Sequence, residues 1–137
     1  MNSQHPNLAI IHSFFQAYGK NDFEAIGNIL SPDIEWHIPG HHPLSGTKKG
    51  VAEVLEYFSQ LHHCNFQASP IVMGYNDEFL IDCHLNWSNR EEGENMKRMS
   101  CLLWQFKNGK IISVYNFPED QHIADAFFNN AYAGLKN

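Results

Sequence analysis

Glu78-Phe79-Leu80-Ile81-Asp82-Cys83-His84-Leu85-Asn86-Trp87-Ser88-Asn89 is the stretch on which the fold class turns. Phe79, Ile81, Cys83, Leu85 and Trp87 alternate with Leu80, Asp82, His84, Asn86 and Ser88, the period-two signature of a half-buried strand. Downstream, the polar turn Arg90 to Asn95 leads into a long strand, Met96 to Lys107. Asn108-Gly109 is a tight-hairpin signal that pairs this strand antiparallel with Lys110 to Phe117. Pro118 breaks that strand, and Ala124, Phe127, Phe128 and Ala131 mark a short terminal helix.

Upstream the period is helical. Leu8, Ile11, Phe15 and Tyr18, with Phe14 beside them, form one stripe from about Asn7 to Gly19. Asn21-Asp22 starts a short helix carrying Phe23, Ile26 and Leu30, stopped by Ser31-Pro32. An extended piece, Asp33 to Ile38, and a Pro- and Gly-rich loop, Pro39 to Gly46, precede a third helix through Val51, Val54, Leu55, Phe58 and Leu61. Helices followed by a curled antiparallel sheet predict an α+β domain. Its concave side suits a small, mostly apolar ligand.

The 137 residues fit one domain, and with 43% hydrophobic and 13% aromatic positions the chain is not disordered. Nine Lys and Arg against 15 Asp and Glu give a net charge of −6 with no basic patch, which argues against nucleic-acid or anionic-membrane partners. No apolar run approaches the roughly 18–20 residues of a membrane span. The uncharged start Met1-Asn2-Ser3-Gln4-His5-Pro6 lacks the order of a signal peptide, so a cytoplasmic location is expected. Cys64, Cys83 and Cys101, odd in number and without CxxC spacing, read as reduced structural thiols. Asn86-Trp87-Ser88 is a formal glycosylation sequon that, without an export signal, reads as chance.

Taken together, several segments resemble the nuclear transport factor 2-like superfamily, and within it the SnoaL-like polyketide cyclases and ketosteroid isomerases. They are Phe14-Phe15-Gln16-Ala17-Tyr18 leading into Asn21-Asp22, Pro32-Asp33-Ile34-Glu35-Trp36, Pro39-Gly40, Pro43-Leu44-Ser45-Gly46, Gly50 to Val54 and Phe58, Asn108-Gly109-Lys110-Ile111 and Asp120. The resemblance covers nearly the whole chain. It implies a cone-shaped curled sheet, mixed in direction, packed against the N-terminal helices around a pocket, and a homodimer through the sheet's outer face. It says little about the reaction, because one such scaffold hosts many chemistries.

Ketosteroid isomerases use a carboxylate base with an oxyanion hole of a tyrosine and a protonated aspartic acid. Counting from Pro43 and Ser45-Gly46, the base position falls on His37, the tyrosine on Phe14 and the acid on about Leu102. Phe14 and Leu102 have no proton to donate, so steroid isomerisation by that mechanism is excluded. A histidine base remains apt, with an unperturbed pKa of about 6.5. The opposite reading of His37 stays open: alternation puts Ile34, Trp36 and Ile38 on one face and turns Glu35 and His37 to the other.

Asp120 falls where, by the resemblance, SnoaL-like cyclases carry an acid/base aspartate; the residues themselves favour a helix N-cap for Gln121 to Asn130. A His37–Asp120 pair facing one pocket is the mechanistic expectation. Phe14, Tyr18, Trp36, Tyr57, Phe58, Trp87, Leu102, Trp104 and Asn116 are the expected pocket walls, against the plain alternative of core packing.

His37, His41, His42 and His84 invite a metal reading, but nothing matches H-E-x-x-H, and adjacent His41-His42 cannot both easily aim at one ion. No GxSxG elbow, activated cysteine or Walker loop is present. Leu102, Trp104 and Phe106 share one strand face while Met99, Cys101 and Leu103 share the other, so both faces need cover. The expected protein is a general acid/base isomerase, cyclase or dehydratase of a small apolar carbonyl- or hydroxyl-bearing molecule, with no metal or redox cofactor. The rival is a non-catalytic ligand- or partner-binding domain of the same fold.

Overall fold

The structure, a computed structural model, describes residues 4–133; Met1 to Ser3, part of the stretch read above for a leader, and residues 134–137 lie outside it. The first helix, α1 (Pro6–Gly19), begins on a proline whose fixed φ suits a first turn. A short α2 (Phe23–Ile29) follows, its N-cap Asp22 accepting a hydrogen bond from the Ala25 N–H at 3.1 Å. Strands β1 (Leu30–Ile38) and β2 (Gly46–Lys49) precede α3 (Gly50–His62). Strands β3 (Gln67–Tyr75), β4 (Phe79–Trp87), β5 (Lys97–Lys107) and β6 (Lys110–Pro118) then lead into α4 (Gln121–Ala131).

The six strands form one sheet in the order β2-β1-β6-β5-β4-β3, parallel only between β1 and β6. This is the mixed, curled α+β arrangement expected from the sequence. Asn108 and Gly109 both take positive φ, 54° and 75°, the backbone of the tight hairpin turn that their pairing predicts.

Three local differences have physical causes. Leu30 opens β1 instead of closing α2, because Pro32 cannot continue a helix and sits where the β1–β6 register shifts between Leu30 and Glu35. β2 begins on the last residue of the expected loop, Gly46, and fills the three positions before α3 that carry no strand signal. β3 escapes the alternation test because Pro70 and Gly74 interrupt it, with a register shift between Pro70 and Val72; as an outermost strand it tolerates both.

The orientation of β4 matters most for function. Leu80, Asp82 and His84 face inward and are buried, while Ile81 on the apolar side is 48% exposed. The polar half of the alternation therefore faces the helices. Ile11, Ile26, Ile34, Val54, Leu80, Trp104, Ile111 and Val114 form the fully buried centre. Among the described residues, no helix is long and apolar enough to cross a membrane.

Candidate active site

The concave face of the sheet and the helices enclose a cavity with two chemically different walls. The cavity volume is about 100 Å³. Phe14, Phe15 and Tyr18 of α1 and Tyr57, Phe58 and Leu61 of α3 supply the apolar wall, because the stripe that drives each helix onto the sheet continues past the packed centre. The sheet supplies the polar wall through His84 and Asn86 of β4, Arg98 and Ser100 of β5 and Asn116 of β6. Strand pairing sets their rows: Asn86 lies opposite Arg98, His84 opposite Ser100, and Asp82 opposite Leu102, which pairs with Asn116.

Beneath this polar wall lies a buried hydrogen-bonded chain. One carboxylate oxygen of Asp82 lies 2.6 Å from His84 Nδ1, and the other accepts from the Trp104 indole N–H at 2.6 Å. Asp82 is 1% exposed and His84 5%. A carboxylate accepts hydrogen bonds, so the contact assigns the donor role to Nδ1. Asn86 Nδ2 lies 3.4 Å from that Nε2 and donates to Ser100 Oγ at 3.0 Å. Asp82 thus fixes both the tautomer and the angle of a ring that lines the cavity.

Other polar groups border the same space. Asn116 Oδ1 is buried without a hydrogen-bond partner. Burial pushes the phenols of Tyr18 and Tyr57 well above their ordinary value, and for Tyr18 the neighbouring Tyr57 adds to the effect, so both remain protonated donors. His42, on the loop after β1, is neutral: burial holds its imidazole down at about 4, and its Nδ1 accepts from the Leu44 N–H at 3.2 Å. That loop is pinned to α4, since His41 N–H donates to Asp125 at 3.1 Å and a methyl at Gly40 would meet Asp125 and Gln121 atoms at 2.2 Å.

The expected site residues divide. Phe14, Tyr18, Trp36, Tyr57, Phe58, Leu102 and Asn116 line the cavity. Trp104 lies behind the wall, fully buried, edge-on to Phe14 with ring centres 4.9 Å apart. Trp87 stands on the outward side of β4, opposite Gln67 and Lys97. His37 does not reach the cavity: it bonds Thr47 of β2 at 2.9 Å and stacks on Tyr115 at 4.4 Å, on the face opposite Trp36. Alternation along β1 turns it outward. Asp120 lines the cavity and also caps α4, accepting from the Ile123 N–H at 3.1 Å. The expected His37–Asp120 pair is therefore not assembled. The signal that could have found the replacement is Asp82-x-His84-x-Asn86, three polar groups on one face of a strand whose other face is apolar. Asn86, first residue of the formal sequon, belongs to this wall.

The fold and cavity define a cone-shaped α+β domain of the nuclear transport factor 2-like type. A SnoaL-like domain model matches residues 11–114, and the chain belongs to that family. Among solved structures, a protein from a soil-derived mobile gene cassette is similar over 90% of this chain and 96% of its own, with a TM-score of 0.85 and 22% identity. A Xanthomonas campestris protein of unknown function with a cystatin-like fold is similar over 88% and 96%, with a TM-score of 0.80 and 29% identity. TerC, co-crystallised with polyporic acid, is similar over 92% and 99%, with a TM-score of 0.80 and 18% identity. No curated protein matches the chain.

Proposed function

We propose that this SnoaL-like chain is a general acid/base enzyme that moves a proton on a small, largely apolar molecule bearing a carbonyl or hydroxyl group, with His84 as the proton carrier. The observation that carries the reading is the Asp82–His84 pair, buried beneath an aromatic-walled cavity, with only the Asn86 side-chain amide, 3.4 Å away, against the histidine's Nε2. His84 removes a proton next to a carbonyl, the adjacent Asp82 carboxylate stabilises the imidazolium that forms, and the same ring returns the proton elsewhere. Returned to another carbon, the proton completes an isomerisation; with ring closure, a cyclisation; on a departing hydroxyl, a dehydration. The protonated phenols of Tyr18 and Tyr57 are donors on the cavity wall for an enolate oxygen, in place of the donors that Phe14 and Leu102 cannot provide. TerC, with a similar fold, was co-crystallised with polyporic acid, so a domain of this fold has been studied with a small organic molecule.

The test is deuterium uptake from D2O at the α-carbon of small aryl and alicyclic ketones, followed by NMR. General-base catalysis contributes about 10²–10⁴-fold, so His84→Gln should remove nearly all catalysed exchange while His37→Gln leaves it within about twofold. Exchange that survives in His84→Gln would refute the assignment. The hydrocarbon at Phe14 and Leu102 favours the rival, a non-catalytic ligand-binding domain, which requires ligand binding without exchange in the wild type.

The proposal extends to a homodimer through the convex face of the sheet. Two neighbouring rows of that face, Ile81-Leu103-Tyr115 and Cys83-Cys101-Phe117, are continuous apolar surface, with Phe117 53% exposed.

A further inference from the structure

We infer that the substrate or ligand carries a carboxylate, held by Arg98 at the end of the cavity. This deepens the reading given under Proposed function and rests on it. Arg98 occupies an inward position of β5, two residues from Ser100, and lines the cavity in one row with Asn86 and Ala68. It is the single Lys or Arg among the lining residues, and Asp120 is their single Asp or Glu. The ion pairs among the described residues all run through histidines, so no carboxylate of a described residue lies within 4.0 Å of the Arg98 guanidinium. Among the described residues its guanidinium makes one hydrogen bond, from Nη1 to the Lys97 carbonyl at 3.0 Å, out of five available donors.

A planar fork of N–H donors is the side chain best matched to a carboxylate, and partial desolvation beside an apolar wall strengthens that pairing. The whole-molecule charge of −6 repels anions, so an acid reaches this cavity only if a local cation receives it. Two residues along β5 span about 7 Å, which sets the carboxylate one row away from the His84–Ser100 row. The ligand class is thus a small aromatic or alicyclic acid whose ring lies against Phe14, Tyr18 and Phe58 and whose acid group is remote from the carbon that exchanges its proton.

The test is titration calorimetry of the full-length protein with 2-naphthoate and with 2-naphthamide, the same ring with and without the anion. The wild type should bind the acid at least tenfold more tightly than the amide. Arg98→Gln should weaken the acid at least tenfold and leave the amide within twofold, while Arg98→Lys, which keeps the charge, retains part of the preference. Equal affinity of the wild type for the two ligands, or equal loss of both in Arg98→Gln with no acid preference left in Arg98→Lys, overturns the assignment. Binding of neither ligand by the wild type also counts against it, together with the cavity reading beneath it. His84→Gln separates the two proposals: if it abolishes exchange yet keeps the acid preference, both stand. If exchange persists while the preference holds, the proton-transfer role falls and the anion site remains.

Discussion

At the scale of single residues, environment rather than residue type separates the histidines. His37 is tied to Thr47 and Tyr115 on the convex side, His84 is buried on Asp82, and His42 is held neutral at about 4 by burial against its loop and α4. The sign of the His42 effect follows directly. The unfolded chain takes up this proton near pH 6.5 and the folded chain only near pH 4, so the contribution to stability is complete above about pH 6.5 and is lost as pH falls towards 4. Allowing for solvent screening of a partly accessible ring, His42→Gln should reduce the loss of stability between pH 7 and pH 5 by about 1 kcal/mol. Urea midpoints of the two proteins at those pH values read it, and parallel slopes would contradict it.

At the scale of elements, much was legible. The helical stripes of α1 and α3, the hairpin of β5 and β6 and the terminal helix all follow from periodicity and turn chemistry. β2 and β3 were not, because short or proline-interrupted edge strands carry no alternation. For β4, alternation marks two faces without saying which is inside, and it is the polar face, with Asp82 and His84, that is buried. His84 was accordingly legible only as one of several histidines, and His37 was favoured by counting along a resemblance that does not fix side-chain direction. Asp120 shows the same limit: a cap and a cavity residue share one position. Losing the Ile123 bond should make Asp120→Ala less stable by about 1 kcal/mol, while Asp120→Asn, an equally good cap, should stay within about 0.5 kcal/mol of wild type. Thermal denaturation compares them; an Asn variant as unstable as the Ala variant would show that the cap is not what Asp120 supplies to stability.

At the scale of the whole molecule, a polar wall inside and an apolar face outside both follow from the alternation of β4, β5 and β6. The sheet directs its chemistry to the cavity and leaves Ile81, Met99, Tyr115 and Phe117 exposed on the convex side. Sedimentation at micromolar concentration should return twice the 15.8 kDa chain mass, and Phe117→Asp, at the β6 end of that patch, should return the single mass without loss of helical circular dichroism. A wild-type protein sedimenting as a single chain would remove the dimer and leave the cavity untouched.

The proton-transfer role stands or falls on the state of one ring. Long-range proton–nitrogen NMR of the His84 imidazole reads it directly. A proton on Nδ1 that is lost or displaced in Asp82→Asn, with Nε2 unprotonated and shifting when a ketone is added, is the expected result. A proton on Nε2 in the free protein at neutral pH, unaffected by Asp82→Asn, would contradict the dyad and with it the proposed chemistry.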